Sequence, residues 1–307
     1  MKSKKIIIGS RGSKLALIYA ERAKSEIMKH SQISGIEEVE IKNITTKGDT
    51  IQNVRLSDLG GKGLFSKTIE DELLDEKIDI AVHALKDMPT NETEGLITNC
   101  FLKRNDPREI LISKDNKIIK ELAPNSIVGT SSFRREFQLK KIREDLKYKL
   151  IRGNVDTRIK KLNDNLYDAI ILSYAGIQSL NLDKNISQTF STSEIIPSAG
   201  QGVVALQCRK NEQELIQLLN KVNHGSTHNC VVAERNVLKI LEGDCETAVG
   251  VFAKIDGDNI GLEAELFSLD GKDRFYYRAS KELKFASELG KEVGTILKKN
   301  SKNSYKK

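Results

Sequence analysis

Tryptophan is absent from the 307 residues, aromatics make up only 5% of them, and no apolar stretch exceeds the length of a strand. The longest runs, residues 6–8 and 169–172 among them, are far short of the ~20 residues a helix needs to cross a bilayer, so no membrane span is expected. In MKSKKIIIGSRG the basic residues precede only three apolar ones. The hydrophobic region of a secretory signal is therefore missing, and a cytoplasmic location is expected. There are four cysteines, Cys100, Cys208, Cys230 and Cys245, and no CxxC pair. That spacing excludes a zinc ribbon and, in a reducing compartment, structural disulfides, so any special cysteine acts singly.

What is present is ordinary for a folded protein: 38% hydrophobic and 30% charged residues, a balance that excludes a disordered or low-complexity chain. The length suits two or three domains. A net charge of +7 admits nucleic acid, an acidic membrane surface or a small polyanion as partner. Part of it comes from the tail KKNSKNSYKK, expected to be solvated, so the positions of the arginines decide.

The pattern opens with a strand at 5–8, the loop Gly9-Ser10-Arg11-Gly12-Ser13, and a helix with Leu15, Tyr19, Ala23 and Ile27 at a spacing of four. A strand at 39–44, a Gly-rich polar stretch, a helix at 64–75 and a strand at 78–82 follow. The order restarts with a strand at 126–129, a Thr130-Ser131-Ser132 cap, a helix at 133–144, a strand at 149–151, a helix at 155–162 and a strand at 169–172. "IIIGSRGS" and "SIVGTSSF" open the two halves alike. Strands alternating with helices predict two similar α/β domains, each with a mostly parallel sheet covered on both faces, and crossings at 100–108 and 195–202. A strand at 203–208 and a helix at 212–219 complete the first domain. From there the pattern predicts a helix at 229–241, an antiparallel meander at 249–255, 261–268 and 274–279, and a last helix at 285–297. The expected division is 1–102 with 200–222, then 103–199, then a smaller α+β domain at 223–307.

Ligands of open α/β sheets lie at the carboxyl ends of strands, where helix N-termini offer free N–H groups. Three strand-end loops carry hydroxyls or arginines: Arg11 with Ser13; Thr130, Ser131 and Ser132 with Arg134 and Arg135; and Arg152-Gly153 running to Arg158. The guanidinium fork suits carboxylate or phosphate, so loops of this kind would hold a ligand with several acidic groups. For any single loop the alternative is a solvated helix face; three of one kind argue against it. Nucleic acid would need stacking aromatics interleaved with the basic residues, and only Phe133 and Phe137 lie near them. In HALKDMPT, residues His83, Lys86 and Asp87 follow a strand. An ionised Asp87 could balance a cationic intermediate or pass a proton, with a helix cap or a salt bridge to Lys86 as the alternative. His224 and His228 are separated by the poor helix formers Gly225-Ser226, with no acidic ligand near, so no metal site is expected. Cys100 and Cys208 fall in strand-like runs and Cys230 on a helix, all three readable as core. Cys245 lies in the loop LEGDCETAVG between a helix and a strand, the placement that most favours a reactive or modified thiol.

In order along the chain, GSRGSKLAL, TTKGD, GGKGLFSK, DIAVHALKDMPT, NDPRE, IVGTSSFRR, LIRGNVDTR, YDAIILSYAG, PSAGQG, ALQCR and AERNVL followed by LEGDC resemble the hydroxymethylbilane synthase, or porphobilinogen deaminase, family. The resemblance runs from about residue 5 to the 270s. It implies two periplasmic-binding-protein-like, doubly wound α/β domains with an active cleft between them, plus a small α+β third domain with a three-stranded antiparallel sheet. It also implies one dipyrromethane cofactor held by a thioether to a third-domain cysteine, here Cys245. Four porphobilinogen units are then added with loss of ammonia, and the linear tetrapyrrole is released by hydrolysis.

On this resemblance Asp87 is the catalytic carboxylate. Cys245, Ser13, His83, Lys86, Asp87, Thr130, Ser131, Ser132, Arg134, Arg135, Arg152 and Gly153 bind the cofactor, and Arg11, Ser13, Lys62, Arg152, Arg158 and Gln201 bind the substrate. Residues 49–62 are expected to act as a lid. The sequence departs from the family at Asp244 and Thr247-Ala248 around the cysteine, at Ser179 where relatives often carry arginine, and at Asp58 and Ala84. The expectation is a monomer acting on a small molecule, with neither nucleic acid nor membrane as partner. The alternative is a non-catalytic anion-binding protein of the same paired-domain architecture.

Overall fold

A computed structural model describes residues 4–30, 35–46, 63, 65–243 and 247–306. The chain divides into two compact units: one from the N-terminal segment, the stretch reaching Asn105 and Val203–Asn229, the other from Asp106–Gly202 and Cys230 onward.

The first unit is a five-stranded sheet in the order β2-β1-β3-β10-β4. It comprises β1 (Lys4–Arg11), β2 (Ile36–Ile44), β3 (Ile80–Ala84), β4 (Leu96–Phe101) and β10 (Val204–Arg209). Helix α1 (Lys14–Met28) begins where Ser13 Oγ accepts from Ala16 N at 3.3 Å, the N-cap bond expected of serine. Its buried Tyr19, Ala20, Ala23 and Ile27 pack on Ile6, Ile8, Ile80 and Val82. The opposite face is covered by α2 (Lys67–Leu74), through Ile69 and Leu73 against Ile44, Ile78, Ala81 and Leu96. Both faces of the central strands are thus apolar, as a covered sheet requires. Gly9, within β1, lies close under its neighbours: a Cβ there would come 2.3 Å from Ile78 Cδ1 and 2.9 Å from Ile44 Cδ1, so those side chains would have to shift.

The second unit repeats the plan. Its five-stranded sheet runs β7-β6-β8-β5-β9, from β5 (Glu109–Ser113), β6 (Ile127–Gly129), β7 (Lys147–Lys149), β8 (Ala169–Ser173) and β9 (Gln188–Thr189). Helices α3 (Phe133–Ile142), α4 (Val155–Asn163) and α5 (Tyr174–Ser179) connect them. Each sheet is mostly parallel, as expected, with one strand reversed: β10 runs antiparallel to β3 and β4, and β5 antiparallel to β8 and β9, so the other four strands of each sheet share a direction. β10 enters its sheet on the return from the second unit rather than over a crossover helix of its own, so the rule that makes βαβ neighbours parallel does not bind it. The strand expected at 149–151 lies at Lys147–Lys149, leaving Ile151 buried beyond it.

The second unit also holds the meander β11 (Val249–Asp256), β12 (Asn259–Phe267) and β13 (Arg274–Glu282). Helix α6 (Gln213–Val222) packs in the first unit's core through Leu215, Leu218 and Leu219. Helix α7 (Gly225–Leu241) starts four residues earlier than expected and contains Gly225-Ser226. Val237 and Leu241 join Leu289, Val293 and Leu297 of α8 (Ala286–Ser301) over the meander. The basic tail is not solvated throughout. Tyr305 is buried and its hydroxyl donates to Leu241 O at 2.9 Å, while Lys306 pairs with Glu242 at 2.8 Å. A ring that completes the core holds the tail down. No helix among the described residues is long and apolar enough to cross a membrane.

Candidate active site

In the first unit a pocket opens at the carboxyl ends of β1 and β3, lined by Arg11, Ser13, Phe65, His83 and Asp87 among others. Arg11 ends β1, and its guanidinium carbon lies 4.0 Å from the Phe65 ring centroid, a cation–π stack that orients the fork. Asp87 and Lys86 are exposed on a single 3-10 turn that follows β3 directly. His83 is not past the strand, as expected, but inside it and buried. Burial pushes its pKa below the ordinary 6.5, against the opposing pull of Glu70, Gln207 and Asp87. Its ring reaches Gln207 Oε1 at 3.1 Å.

In the second unit the loop after β6 caps α3. Thr130 Oγ1 accepts from Ser132 N at 3.1 Å, Ser132 Oγ accepts from Arg135 N at 3.4 Å, and Ser131 Oγ donates to Ile151 O. Arg134 and Arg135, expected to grip ligand carboxylates, are both buried and share Glu109, at 2.6 and 2.8 Å. Arg134 spends its other terminal nitrogen on Ile196 O at 2.9 Å. Burial lowers its pKa although Glu109 opposes the shift. Arg135 gives one terminal nitrogen to Ile171 O at 3.3 Å, yet its Nε is buried without a hydrogen-bond partner. The two neighbours therefore differ: Arg134 is committed to the fold, whereas Arg135 has a donor to spare.

Arg152 is buried and its carbonyl accepts from Lys161 Nζ at 3.0 Å. Gly153 follows with φ +112°, where a Cβ would meet Thr157 at 2.7 Å, so the turn requires glycine. Arg158 Nε donates to Gly153 O at 2.8 Å, which closes the turn. Gln201, expected to position substrate, is buried, with its amide donating to Pro107 O at 2.7 Å. The PSAGQG turn is also held by buried Glu234, which accepts from Gly200 N and Ala253 N at 2.7 and 2.9 Å. Ser179, at a position where arginine was the family expectation, bonds back to Ala175 O at 2.7 Å.

Cys245 and the whole 49–62 segment, Lys62 included, lie outside the described residues. Just beyond the cysteine loop, buried Ala248 packs with Phe267 against Phe137 of α3, the helix that carries the arginine pair. The remaining thiols, Cys100, Cys208 and Cys230, are buried. His224 and His228 turn to local partners, Thr227 at 2.9 Å and Asn223 at 3.3 Å. Sequence reasoning gave no role to Phe65, Glu70, Gln207 or Glu109. A charge such as Glu109, opening the strand EILIS directly before three apolar residues, was the local signal available.

Comparison with known proteins places the chain as a whole. A family model described as "Porphobilinogen deaminase, dipyromethane cofactor binding domain" matches residues 6–217, and one for the "Porphobilinogen deaminase, C-terminal domain" matches 228–299. The chain is 46% identical over 271 residues to the porphobilinogen deaminase of Bacillus cereus strain AH187, covering 87% of this chain and 86% of that protein. It is 41% identical over 299 residues to that of Macrococcus caseolyticus, covering 97% and 95%. Among solved structures, the methionine-binding protein MetQ aligns at TM-score 0.44 and 14% identity, over 73% of this chain and 90% of that one. With both family domains matched in order and relatives aligned along nearly its whole length, the chain belongs to the porphobilinogen deaminase family.

Proposed function

We propose that this chain is a hydroxymethylbilane synthase, a transferase that condenses four porphobilinogen molecules onto a dipyrromethane primer, with Asp87 as the catalytic carboxylate and Cys245 as the primer's attachment point. The observation that carries this reading is the pocket in which Arg11, Ser13, His83 and Asp87 come together. A pyrrole bearing an acetate and a propionate needs cationic or hydroxyl donors for its carboxylates and an anion for its N–H, and this pocket offers Arg11 and Ser13 for the first and Asp87 for the second. Dipyrromethane carries two such pyrroles. The second unit suits its acidity with the spare buried Nε of Arg135 and the glycine-dependent turn at Arg152-Gly153.

Bound by a thioether to Cys245, dipyrromethane would supply the free pyrrole α-carbon to which the first unit bonds, and each added unit would leave its own for the next. Ser13, His83, Lys86, Thr130, Ser131, Ser132, Arg135, Arg152 and Gly153 would hold it, with Arg134 keeping that loop in shape through Glu109. Arg11, Lys62 and Arg158 would take the substrate's carboxylates. Gln201 would act through the fold of its turn. Asp87 would accept a pyrrole N–H, offset positive charge as ammonia departs, and assist proton transfer. The reading is of a cytoplasmic monomer with a small-molecule substrate.

Intact mass tests it. Protein made in a cell that synthesises porphobilinogen should exceed its sequence mass by one dipyrromethane, localised to the Cys245 peptide. Asp87→Ala, at an exposed position, should fold normally and release ammonia from porphobilinogen at least ~100-fold more slowly. A protein of bare sequence mass that binds porphobilinogen without releasing ammonia would instead be the non-catalytic anion binder. Near-normal turnover in Asp87→Ala would remove the role given to that carboxylate.

A further inference from the structure

We propose that Glu70 and Gln207 are positioning residues that hold His83 in the tautomer with hydrogen on Nε2, leaving Nδ1 as the ring's acceptor. The proposal rests on the reading above for its consequence, since His83 lines the same pocket as Asp87.

The lock follows from which groups can donate. Glu70, in the first turn of α2, is buried; its Oε1 takes Gln207 Nε2 at 3.0 Å and its Oε2 takes Thr93 Oγ1 at 2.9 Å. A carboxylate only accepts, so the Gln207 amide must turn its NH₂ toward Glu70 and its oxygen the other way. That oxygen lies 3.1 Å from His83 Nε2 and can only accept, so Nε2 must carry the hydrogen. The sheet register places the pair: Ala205 of β10 stands opposite His83, and Gln207, two residues on, is its diagonal neighbour on the same face. Gln207 is wholly buried, which leaves no water to accommodate a flipped amide. Among the described residues, the charged groups that act on the ring are Glu70 from α2 and Asp87 from the turn after β3. A ring so held meets the pocket as a neutral acceptor, suited to a substrate N–H and not to a carboxylate.

Nitrogen-15 NMR of full-length protein labelled in its four histidines reads the tautomer directly, with the His83 signals assigned by their loss in His83→Gln. The expected spectrum shows His83 protonated at Nε2 and bare at Nδ1. Glu70→Gln, which can offer either end of an amide to Gln207, should give a mixture of tautomers. Its kcat should fall about tenfold or more at unchanged KM for porphobilinogen, with partial recovery in Glu70→Asp. A wild-type ring protonated at Nδ1, or a Glu70→Gln protein that keeps the single tautomer or the full kcat, overturns the proposal. Loss of the cofactor adduct or of turnover in wild-type protein would instead refute the functional reading, leaving the NMR result intact.

Discussion

The Arg11 guanidinium stacks on the Phe65 ring, 4.0 Å from its centroid. An arginine at the end of a strand has several rotatable bonds, and a ring beneath it removes much of the rotamer entropy that binding a carboxylate would otherwise cost. Such a stack contributes ~1 kcal/mol. Phe65→Leu, which keeps apolar bulk without the π face, should therefore raise the KM for porphobilinogen about fivefold with kcat little changed. Steady-state kinetics decide it: an unchanged KM would mean that the stack does not prepare Arg11 for the substrate.

Glu109 sets apart the two arginines that follow Ser132. Its buried carboxylate takes Arg134 on one oxygen and Arg135 on the other, and removing one member of a buried ionic group strands the rest. Glu109→Gln should lower stability to urea by about 3 kcal/mol, far more than loss of an exposed pair such as Lys160–Asp164. Arg134→Lys should be destabilised yet still carry the cofactor in its folded fraction, because Arg134 is bound to Glu109 and Ile196. Arg135→Lys, which removes the spare Nε, should lose cofactor by intact mass. A folded Arg134→Lys protein lacking the adduct would reverse this division of roles.

Burial sorts the thiols in the same way that it sorts the arginines. It pushes the Cys100 pKa up to about 12 and that of Cys208 to about 11, so neither forms the thiolate that alkylation requires at neutral pH. Cys230 is buried as well. Iodoacetamide applied to native protein at pH 7.5 should leave Cys100, Cys208 and Cys230 unmodified, with all three reacting after denaturation. Peptide mapping would detect the contrary outcome, native labelling of Cys100 or Cys208, which would show that these strands open readily.

What the sequence made legible was local. The hydroxyl residues ahead of each helix marked its cap, and Ser13 and Ser132 do cap α1 and α3, although β1 runs on through Gly9 and Ser10, expected in a loop, to Arg11. The partners of the site residues were not legible because they come from far along the chain. Arg134 meets Glu109 across 25 positions, Gln201 meets Pro107 across 94, and Gln207 meets Glu70 across 137. The same distance hid the antiparallel entry of β10, since nothing within "VALQCR" states which end of a sheet it approaches. An arginine in a strand-end loop thus has the same sequence signature whether it faces a ligand or a buried glutamate. Only the fold separates Arg11, in a pocket, from Arg134, in the core.

His83 links the site to the pH range in which the fold is stable. Burial holds its folded-state pKa below the ordinary 6.5, which is close to the value expected once the chain unfolds. Above pH 6.5 the ring is neutral in both states and contributes no pH dependence. As pH falls below it, the unfolded chain takes a proton that the folded chain refuses, so stability is lost downward from about 6.5 until the folded pKa is reached. The slope approaches ~1.4 kcal/mol per pH unit for a single group. A second loss should begin below the ordinary carboxylate value of 3.8, where Asp106 must give up Arg108; burial opposes ionisation of Asp106, but the Arg108 hydrogen bonds outweigh it. Urea unfolding of wild type and His83→Gln at pH 8, 7, 6 and 5 isolates the first window, because the glutamine does not titrate and every other group cancels in the difference. The two stabilities should differ by a constant at pH 8 and 7, and His83→Gln should gain on wild type at 6 and 5. Parallel curves throughout would show that the folded protein accepts a proton at His83 as readily as the unfolded chain does.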